Sequence, residues 1–265
     1  MYAFDYVKPT SLADAISALG QEDAQAIAGG QTLIPTLKQR LAQPSVLVDL
    51  SGIAEMQGIC EKGDAVAIGA GTKHGAIAQN ALVSSKIPAL AGLAGRIGDP
   101  QVRNLGTLGG SVANNDPSAC YPAACLALGA TIQTSADRAI HADDFFQGMF
   151  DTALDEGELI VSIDFPVPQA AAYQKFLQPA SHFAMVGVFV ARFADGVRVA
   201  VTGASEGGVF RWSDAEAALS ANFAPEAVAS LSASAEGMIG DIHATPAYRA
   251  HLIGVMTKRA VADAA

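Results

Sequence analysis

Cysteine is scarce in this chain, and the scarcity limits the covalent and metal chemistry that it can hold. The 265 residues include three cysteines: Cys60, Cys120 and Cys125. An odd and sparse set gives no disulfide framework and is typical of a reducing compartment. Cys120 and Cys125 also lack the repeated close spacing of zinc or iron–sulfur ligands. We therefore expect no metal site in this chain, and we expect these two cysteines to be small buried residues.

Positive charge is also in short supply. Sixteen Lys and Arg residues stand against 26 Asp and Glu residues, which leaves a formal net charge of −10. Nucleic acids and anionic membrane surfaces both bind proteins through clustered basic residues. The composition therefore argues against a nucleic acid or an anionic membrane as partner.

Long apolar runs are missing as well. The longest, over residues 183–191, is far too short to span a bilayer. The N-terminus shows no basic stretch followed by an apolar run, which a secretory signal requires. We expect a cytoplasmic protein without a transmembrane segment.

The length and the apolar content are those of one or two packed domains. Hydrophobic residues make up 51% of the chain, enough for a large core. The stretch Pro166-Val167-Pro168-Gln169 is the best candidate boundary, so we predict domains over residues 1–168 and 169–265. In the second, residues 183–193 and 197–203 are typical of a β-hairpin turning at Asp195-Gly196, and residues 246–264 are predicted to be helical.

Two glycine pairs are the most informative feature that is present. The first lies in AGGQT (residues 28–32), after a short apolar strand; the second lies in TLGGS (residues 107–111), closely followed by NNDP. Glycine tolerates positive φ, so successive N–H groups can turn toward an anion. Lys38 and Arg103 are the nearest basic residues, so neutral amides would hold a phosphate there. The pattern predicts a site for the two ends of an extended, phosphate-bearing ligand.

Two further segments invite interpretation. GAGTKHG (residues 69–75) is similar to a dinucleotide fingerprint, but its spacing is one residue too long and the next acidic residue is Asp99. A plain strand–turn–helix with Thr72 as the helix cap is therefore favoured over a nicotinamide site. Residues 98–116 are nearly all loop formers, and a loop of that length inside a compact domain is usually functional.

With these motifs the chain closely resembles the FAD-binding medium subunit of molybdenum hydroxylases, the carbon monoxide dehydrogenase and xanthine dehydrogenase family. The resemblance covers almost the whole chain. It is carried by AGGQTLIPTLK (residues 28–38), by residues 97–130 around TLGGSVANNDP, by DFFQGMFDTALDEGELIVSIDFP (residues 144–166), and by YQKFLQPASHFAMVGV (residues 173–188). Two glycine pairs in this order and with these flanks are highly specific.

The resemblance implies an α+β fold. A two-lobed FAD-binding domain of the vanillyl-alcohol-oxidase type, with lobes over about 1–55 and 56–168, would precede a smaller α+β C-terminal domain. The implied FAD contacts are Ala28, Gly29, Gly30, Gln31, Thr32, Leu33, Thr107, Leu108, Gly109, Gly110, Ser111, Asp116, Cys120, Ile160 and Lys175. Ile160 matches a position whose backbone lines the flavin, and Lys175 matches a lysine near it. Asp116 is equally consistent with a plain Asx turn.

Two positions depart from the family pattern. Cys120 stands where relatives often have Asp, and a thiol accepts hydrogen bonds less well than a carboxylate. Gln31 stands where many relatives have His, and glutamine is a familiar variant there. The resemblance therefore does not define the contacts that Cys120 makes.

The resemblance also implies a function. The chain would be an electron-transfer subunit that passes electrons from [2Fe–2S] clusters of a small partner subunit through FAD to an external acceptor. A large partner subunit would carry the molybdenum–molybdopterin centre and oxidise the substrate, and the usual assembly is a dimer of heterotrimers. No catalytic acid, base or nucleophile is expected in this chain. The alternatives are a stand-alone FAD-dependent oxidoreductase and a non-catalytic scaffold subunit.

Overall fold

The structure, a computed structural model, describes residues 1–264. Its first part is a three-stranded parallel sheet with two helices. The elements are β1 (Asp5–Val7), α1 (Leu12–Leu19), β2 (Ala24–Ile27), α2 (Leu33–Lys38) and β3 (Val46–Asp49). The strand order is β1-β3-β2. Ser11 caps α1 by accepting a hydrogen bond from the Asp14 N–H, and the helix ends at Gly20. Strand β2 runs directly into the first glycine pair.

The second part is built on a five-stranded antiparallel sheet. The elements, in chain order, are β4 (Ile59–Lys62), β5 (Ala65–Gly69), α3 (His74–Gln79), α4 (Ala81–Lys86), α5 (Pro88–Gly95), α6 (Pro100–Leu105), α7 (Leu108–Asn114), α8 (Tyr121–Leu128), β6 (Thr131–Thr134), β7 (Ala139–His141), α9 (Ala142–Phe145), β8 (Phe146–Gly148), β9 (Asp151–Thr152) and β10 (Ile160–Pro166). The sheet has the order β4-β5-β10-β6-β7, and β8 pairs with β9 in a separate hairpin.

The predicted loop over residues 98–116 is wrong, because two helices, α6 and α7, occupy most of it. Asp99 caps α6 by accepting from the Val102 N–H at 2.8 Å, and Pro100 occupies the first helical position. Thr107 caps α7 by accepting from the Gly110 N–H at 3.2 Å. These local caps, with the packing of Gly109 against Ala70, outweigh the poor helix propensity of the glycines.

The predicted role of Thr72 as a helix cap is also wrong. Its hydroxyl donates to the Gly58 carbonyl at 3.1 Å, and α3 begins two residues later without a side-chain cap. Residues 69–75 nevertheless form the strand, turn and helix that the sequence predicts, with Gly71 packed against Gln57.

The third part is a four-stranded antiparallel sheet covered by helices. It contains β11 (Ala170–Leu177), β12 (Ala184–Phe193), β13 (Gly196–Thr202), β14 (Phe210–Arg211), α10 (Ser213–Ala221) and α11 (Pro246–Ala264). The predicted hairpin is confirmed, with Phe193 opposite Gly196. Residues 225–228 form a short 3₁₀ turn. A core of valines from β12 and β13 packs against Leu252, Ile253 and Met256 of α11.

Helix α8 lies at the centre of the molecule. It is buried at every residue, and it packs against β12 and β13 of the third sheet as well as against α7 and β10. Its first residue, Tyr121, is fully buried in a core that also includes Phe145, Phe165 and Phe189 of β12. Between residues 1 and 264, no helix is both long and apolar enough to cross a membrane.

Candidate functional site

The structure brings the two segments that carry the glycine pairs together. A Cβ atom on Gly29 would lie 2.4 Å from the Leu105 carbonyl oxygen and 2.6 Å from the Gly106 Cα. The backbone at Gly29 therefore packs directly against the backbone of Leu105 and Gly106. A Cβ atom on Gly110 would lie 3.8 Å from the Ala28 Cβ. Residues about 80 positions apart in the predicted pattern therefore form one surface, as the sequence requires if they hold one ligand.

The first loop presents unused backbone donors. Gly30 has a φ of +67°, in the left-handed region that favours glycine. Within residues 1–264, the N–H groups of Gly30, Gln31 and Thr32 have no hydrogen-bond acceptor. Gln31 and Thr32 are exposed, and the Gln31 amide donates to the Gly29 carbonyl at 3.0 Å. Adjacent free N–H groups at a turn are a binding concavity for an anion.

The second loop differs from the sequence expectation, because the protein itself uses its N–H groups. Leu108 donates to the Thr72 carbonyl at 3.0 Å and Gly109 donates to the Ala70 carbonyl at 2.8 Å. Ser111 donates to the Thr107 carbonyl at 3.1 Å. What this loop offers is the exposed, side-chain-free face of Gly110. It supplies room for a ligand, whereas the first loop supplies hydrogen bonds.

The buried His74 packs against Gly106, the residue before the second loop. The sequence analysis did not identify this histidine. The His74 N–H donates to the Gly106 carbonyl at 3.0 Å, and a Cβ atom on Gly106 would lie 2.6 Å from the His74 Nε2. The His74 ring lies 5.3 Å from the Tyr121 ring, centroid to centroid. Burial, and then the charge of Arg103, lower the pKa of His74 to about 4, so the ring is neutral at neutral pH. A lone histidine gives no sequence signal for such a role.

Asp116 is the second residue after the end of α7. Its carboxylate accepts from the Ser118 N–H at 2.8 Å, which is the Asx turn that the sequence allows. The preceding residue, Asn115, has a φ of 42° and caps α7 in the left-handed conformation. The Asn115 amide donates to the carbonyls of Gly148 and Asp151 at 2.7 and 2.9 Å, and this anchors the end of α7 to the β8–β9 hairpin.

Cys120 and Lys175 form a second group. The Lys175 Nζ lies 3.6 Å from the Cys120 Sγ, and it donates to the carbonyls of Arg96 and His182 at 2.7 and 2.9 Å. Cys120 is buried, as predicted. In the described part of the chain, no hydrogen bond joins this group to either glycine loop.

Ile160 lies near the second glycine loop, because the residue after it, Val161, is hydrogen-bonded to a residue that contacts the loop. Its side chain is buried in β10, and the next residue, Val161, accepts a hydrogen bond at its carbonyl from the Ala70 N–H at 2.9 Å. Ala70 in turn contacts Gly109. The structure thus places the backbone at Ile160 close to the second glycine loop, separated from it by Ala70.

Other hollows lie away from the glycine loops. One of about 450 Å³ is lined by Glu61, Asp64, Lys86 and Phe193, among others, and one of about 380 Å³ lies beside Lys8 and Asp14. None of the sequence-predicted site residues lines either hollow. Residues 1–264 contain no group of three or more His, Cys, Asp and Glu side chains arranged to hold a metal ion.

Comparison with known proteins gives a consistent result. A family described as the FAD binding domain in molybdopterin dehydrogenase matches residues 2–168. The nicotine 6-hydroxylase medium subunit of Paenarthrobacter nicotinovorans is 35% identical, over 99% of this chain and 97% of the relative.

Solved structures agree with this result over the whole chain. Carbon monoxide dehydrogenase from Hydrogenophaga pseudoflava, in a form that lacks the Mo-pyranopterin moiety, superimposes with a TM-score of 0.89 and 34% identity, covering 98% of this chain and 96% of that one. Quinoline 2-oxidoreductase from Pseudomonas putida 86 gives a TM-score of 0.89 and 30% identity, covering 99% and 97%. The chain therefore belongs to the family of FAD-binding medium subunits of the molybdenum hydroxylases.

Proposed function

We propose that the two glycine loops hold FAD, with its diphosphate against the free N–H groups of the first loop and an adjoining group against Gly110. The contact between Gly29 and the Leu105–Gly106 backbone is the observation that carries this proposal, since it makes one surface of the two loops. The proposed donors to the diphosphate are backbone N–H groups, which are uncharged. The guanidinium of Arg103, the basic residue near the second loop, already donates to the Ile97 and Gly98 carbonyls, at 3.0 Å each. These residues fit the cofactor.

The remaining contacts belong to the same proposal. Asp116 and Cys120 bracket the segment after α7, Ile160 contributes its backbone beside Gly109, and Lys175 approaches the flavin region. The proposed site is Ala28, Gly29, Gly30, Gln31, Thr32, Leu33, Thr107, Leu108, Gly109, Gly110, Ser111, Asp116, Cys120, Ile160 and Lys175. The exposed positions among them, such as Gln31, Thr32 and Gly110, support it because a ligand can reach them.

The chain's task in this proposal is electron transfer. FAD, when bound, supplies the capacity to take up electrons from iron–sulfur clusters and deliver them to an acceptor. The residues of this chain bind the cofactor, orient it and leave one side open. Substrate oxidation belongs to a large molybdopterin-bearing partner and the clusters to a small partner, and relatives of this chain are named as medium subunits or chains.

The assembly and the cellular setting extend the proposal. We infer a dimer of heterotrimers located in the cytoplasm, and a free, exposed Cys60 is consistent with a reducing compartment. The division into domains at residue 168 is supported by the family match, which ends there, and by the short link between β10 and β11.

Substituting Gly110 tests the site. A leucine there would fill the exposed face proposed for the ligand. In the apoprotein its Cβ would lie 2.9 Å from the Thr107 hydroxyl, so this hydroxyl would have to shift. We expect Gly110→Leu to raise the dissociation constant of FAD at least about tenfold, equivalent to about 1.4 kcal/mol. Isothermal titration of the apoprotein with FAD measures it.

The matched control is Gly92→Leu. Gly92 lies in α5, is exposed, and has nothing within 4 Å of an added Cβ. This variant should bind FAD like the wild type. Equal affinity of Gly110→Leu and the wild type would show that Gly110 does not face the cofactor.

A further inference from the structure

The backbone between Asp116 and Cys120 is hydrogen-bonded to residues at the end of β13 in the third sheet. The Pro117 carbonyl accepts from the Gly203 N–H at 2.7 Å. The Thr202 hydroxyl lies 3.0 Å from the same carbonyl and 2.7 Å from the Ala119 carbonyl. Both ends of the three-residue stretch between two proposed FAD contacts are thus fixed by the end of β13.

Thr202 is well placed for this task. It is 1% exposed, so its single hydroxyl proton is shared between two carbonyls with no competing water. Its methyl group packs against Gly187, where an added Cβ would lie 2.9 Å away. Burial and packing leave the hydroxyl one orientation, toward the Pro117–Ala119 backbone.

The end of β13 is itself rigidly held. Gly203 has a φ of +81°, and a Cβ there would lie 2.4 Å from the Ala184 carbonyl oxygen. The buried Arg249 of α11 donates to the Gly203 carbonyl at 2.7 Å and to the Met185 carbonyl at 2.6 Å, and it pairs with Asp241 at 2.7 Å. A continuous series of hydrogen bonds therefore runs from α11 to the backbone between Asp116 and Cys120.

We propose that Thr202 is a positioning residue for the flavin site: through its hydroxyl, the C-terminal sheet sets the backbone between Asp116 and Cys120. Thr202 touches no proposed ligand position and acts only through the Pro117 and Ala119 carbonyls. This inference rests on the proposed function, because it takes Asp116 and Cys120 to belong to the FAD site.

The test compares variants of the full chain. Thr202→Val keeps the shape and removes the hydroxyl, Thr202→Ser keeps the hydroxyl, and Thr257→Val is the matched control. Thr257 is also buried, and its hydroxyl donates to the Ile253 carbonyl within α11 at 2.7 Å, away from the Pro117–Ala119 backbone. The dissociation constant of FAD is measured for each by titration, at a temperature where the apoproteins are folded.

We expect Thr202→Val to weaken FAD binding about tenfold, with Thr202→Ser close to the wild type and Thr257→Val unchanged. If Thr202→Val does not fold, Thr202→Ala makes the same comparison. Unchanged affinity without the Thr202 hydroxyl would overturn the inference, as would an equal loss in Thr202→Ser or Thr257→Val. A wild-type chain that binds no FAD would instead overturn the proposed function, and the inference with it.

Discussion

At the scale of single residues, the ion pair between Glu158 and Arg138 makes stability depend on pH. The Glu158 side chain is 3% exposed, and its carboxylate accepts two hydrogen bonds from Arg138. These hydrogen bonds lower the pKa of Glu158 from 4.5 to about 2. Because the pKa is lower in the folded chain, the unfolded chain binds more protons, and this stabilisation is lost as pH falls from about 4.5 toward 2.

We therefore expect Glu158→Gln to lower the unfolding free energy at pH 7 by about 2 kcal/mol, the loss of a hydrogen-bonded charge. Between pH 4.5 and 2.5 its stability should fall less steeply than that of the wild type. Urea unfolding at several pH values measures both. Glu156→Gln, in the exposed turn nearby, is the control. Parallel pH profiles for Glu158→Gln and the wild type would contradict the assignment.

Single residues also show where sequence reasoning ends. The glycine pairs could be found because glycine is permissive at any turn, and the structure confirms a positive φ at Gly30. The contact of Gly29 with the Leu105 carbonyl could not be found, since it depends on how two distant segments pack. The same holds for His74 beneath Gly106 and for the Lys175–Cys120 contact.

At the scale of elements, Asn115 joins α7 to the β8–β9 hairpin. Its left-handed conformation ends the helix, and its amide holds two carbonyls of the hairpin. Asn115→Ala removes both hydrogen bonds and replaces asparagine, which tolerates positive φ, with a residue that disfavours it. We expect a loss of about 3 kcal/mol in urea unfolding.

Asn115→Gly separates the two effects, because glycine keeps the backbone conformation and lacks only the amide. Its loss should be smaller, about 2 kcal/mol. If both variants unfold like the wild type, the amide does not anchor the hairpin.

Elements with strong local signals were predicted well. The β12–β13 hairpin turns at Asp195-Gly196 as the sequence predicts, and α8 ends at Gly129 in the left-handed conformation that glycine favours. Helices α6 and α7 were missed, because their stability comes from caps at Asp99 and Thr107 and from contacts with residues 70–74, which composition does not reveal. Tertiary packing decided their conformation.

At the scale of the whole molecule, the α+β fold and the family follow from the order of the motifs. In the proposed site, the first glycine loop follows β2 of the parallel sheet, the second spans the start of α7, and the backbone between Asp116 and Cys120 is fixed by the third sheet. All three parts of the chain contribute to the site in this proposal, so no single motif defines it.

The most direct test of this account is an absorption spectrum of the purified chain, loaded with FAD and then desalted. We predict a retained flavin spectrum, close to one FAD per chain, with the FAD released on denaturation. A colourless but folded chain, both alone and in complex with its partner subunits, would contradict the claim that the glycine loops hold this cofactor.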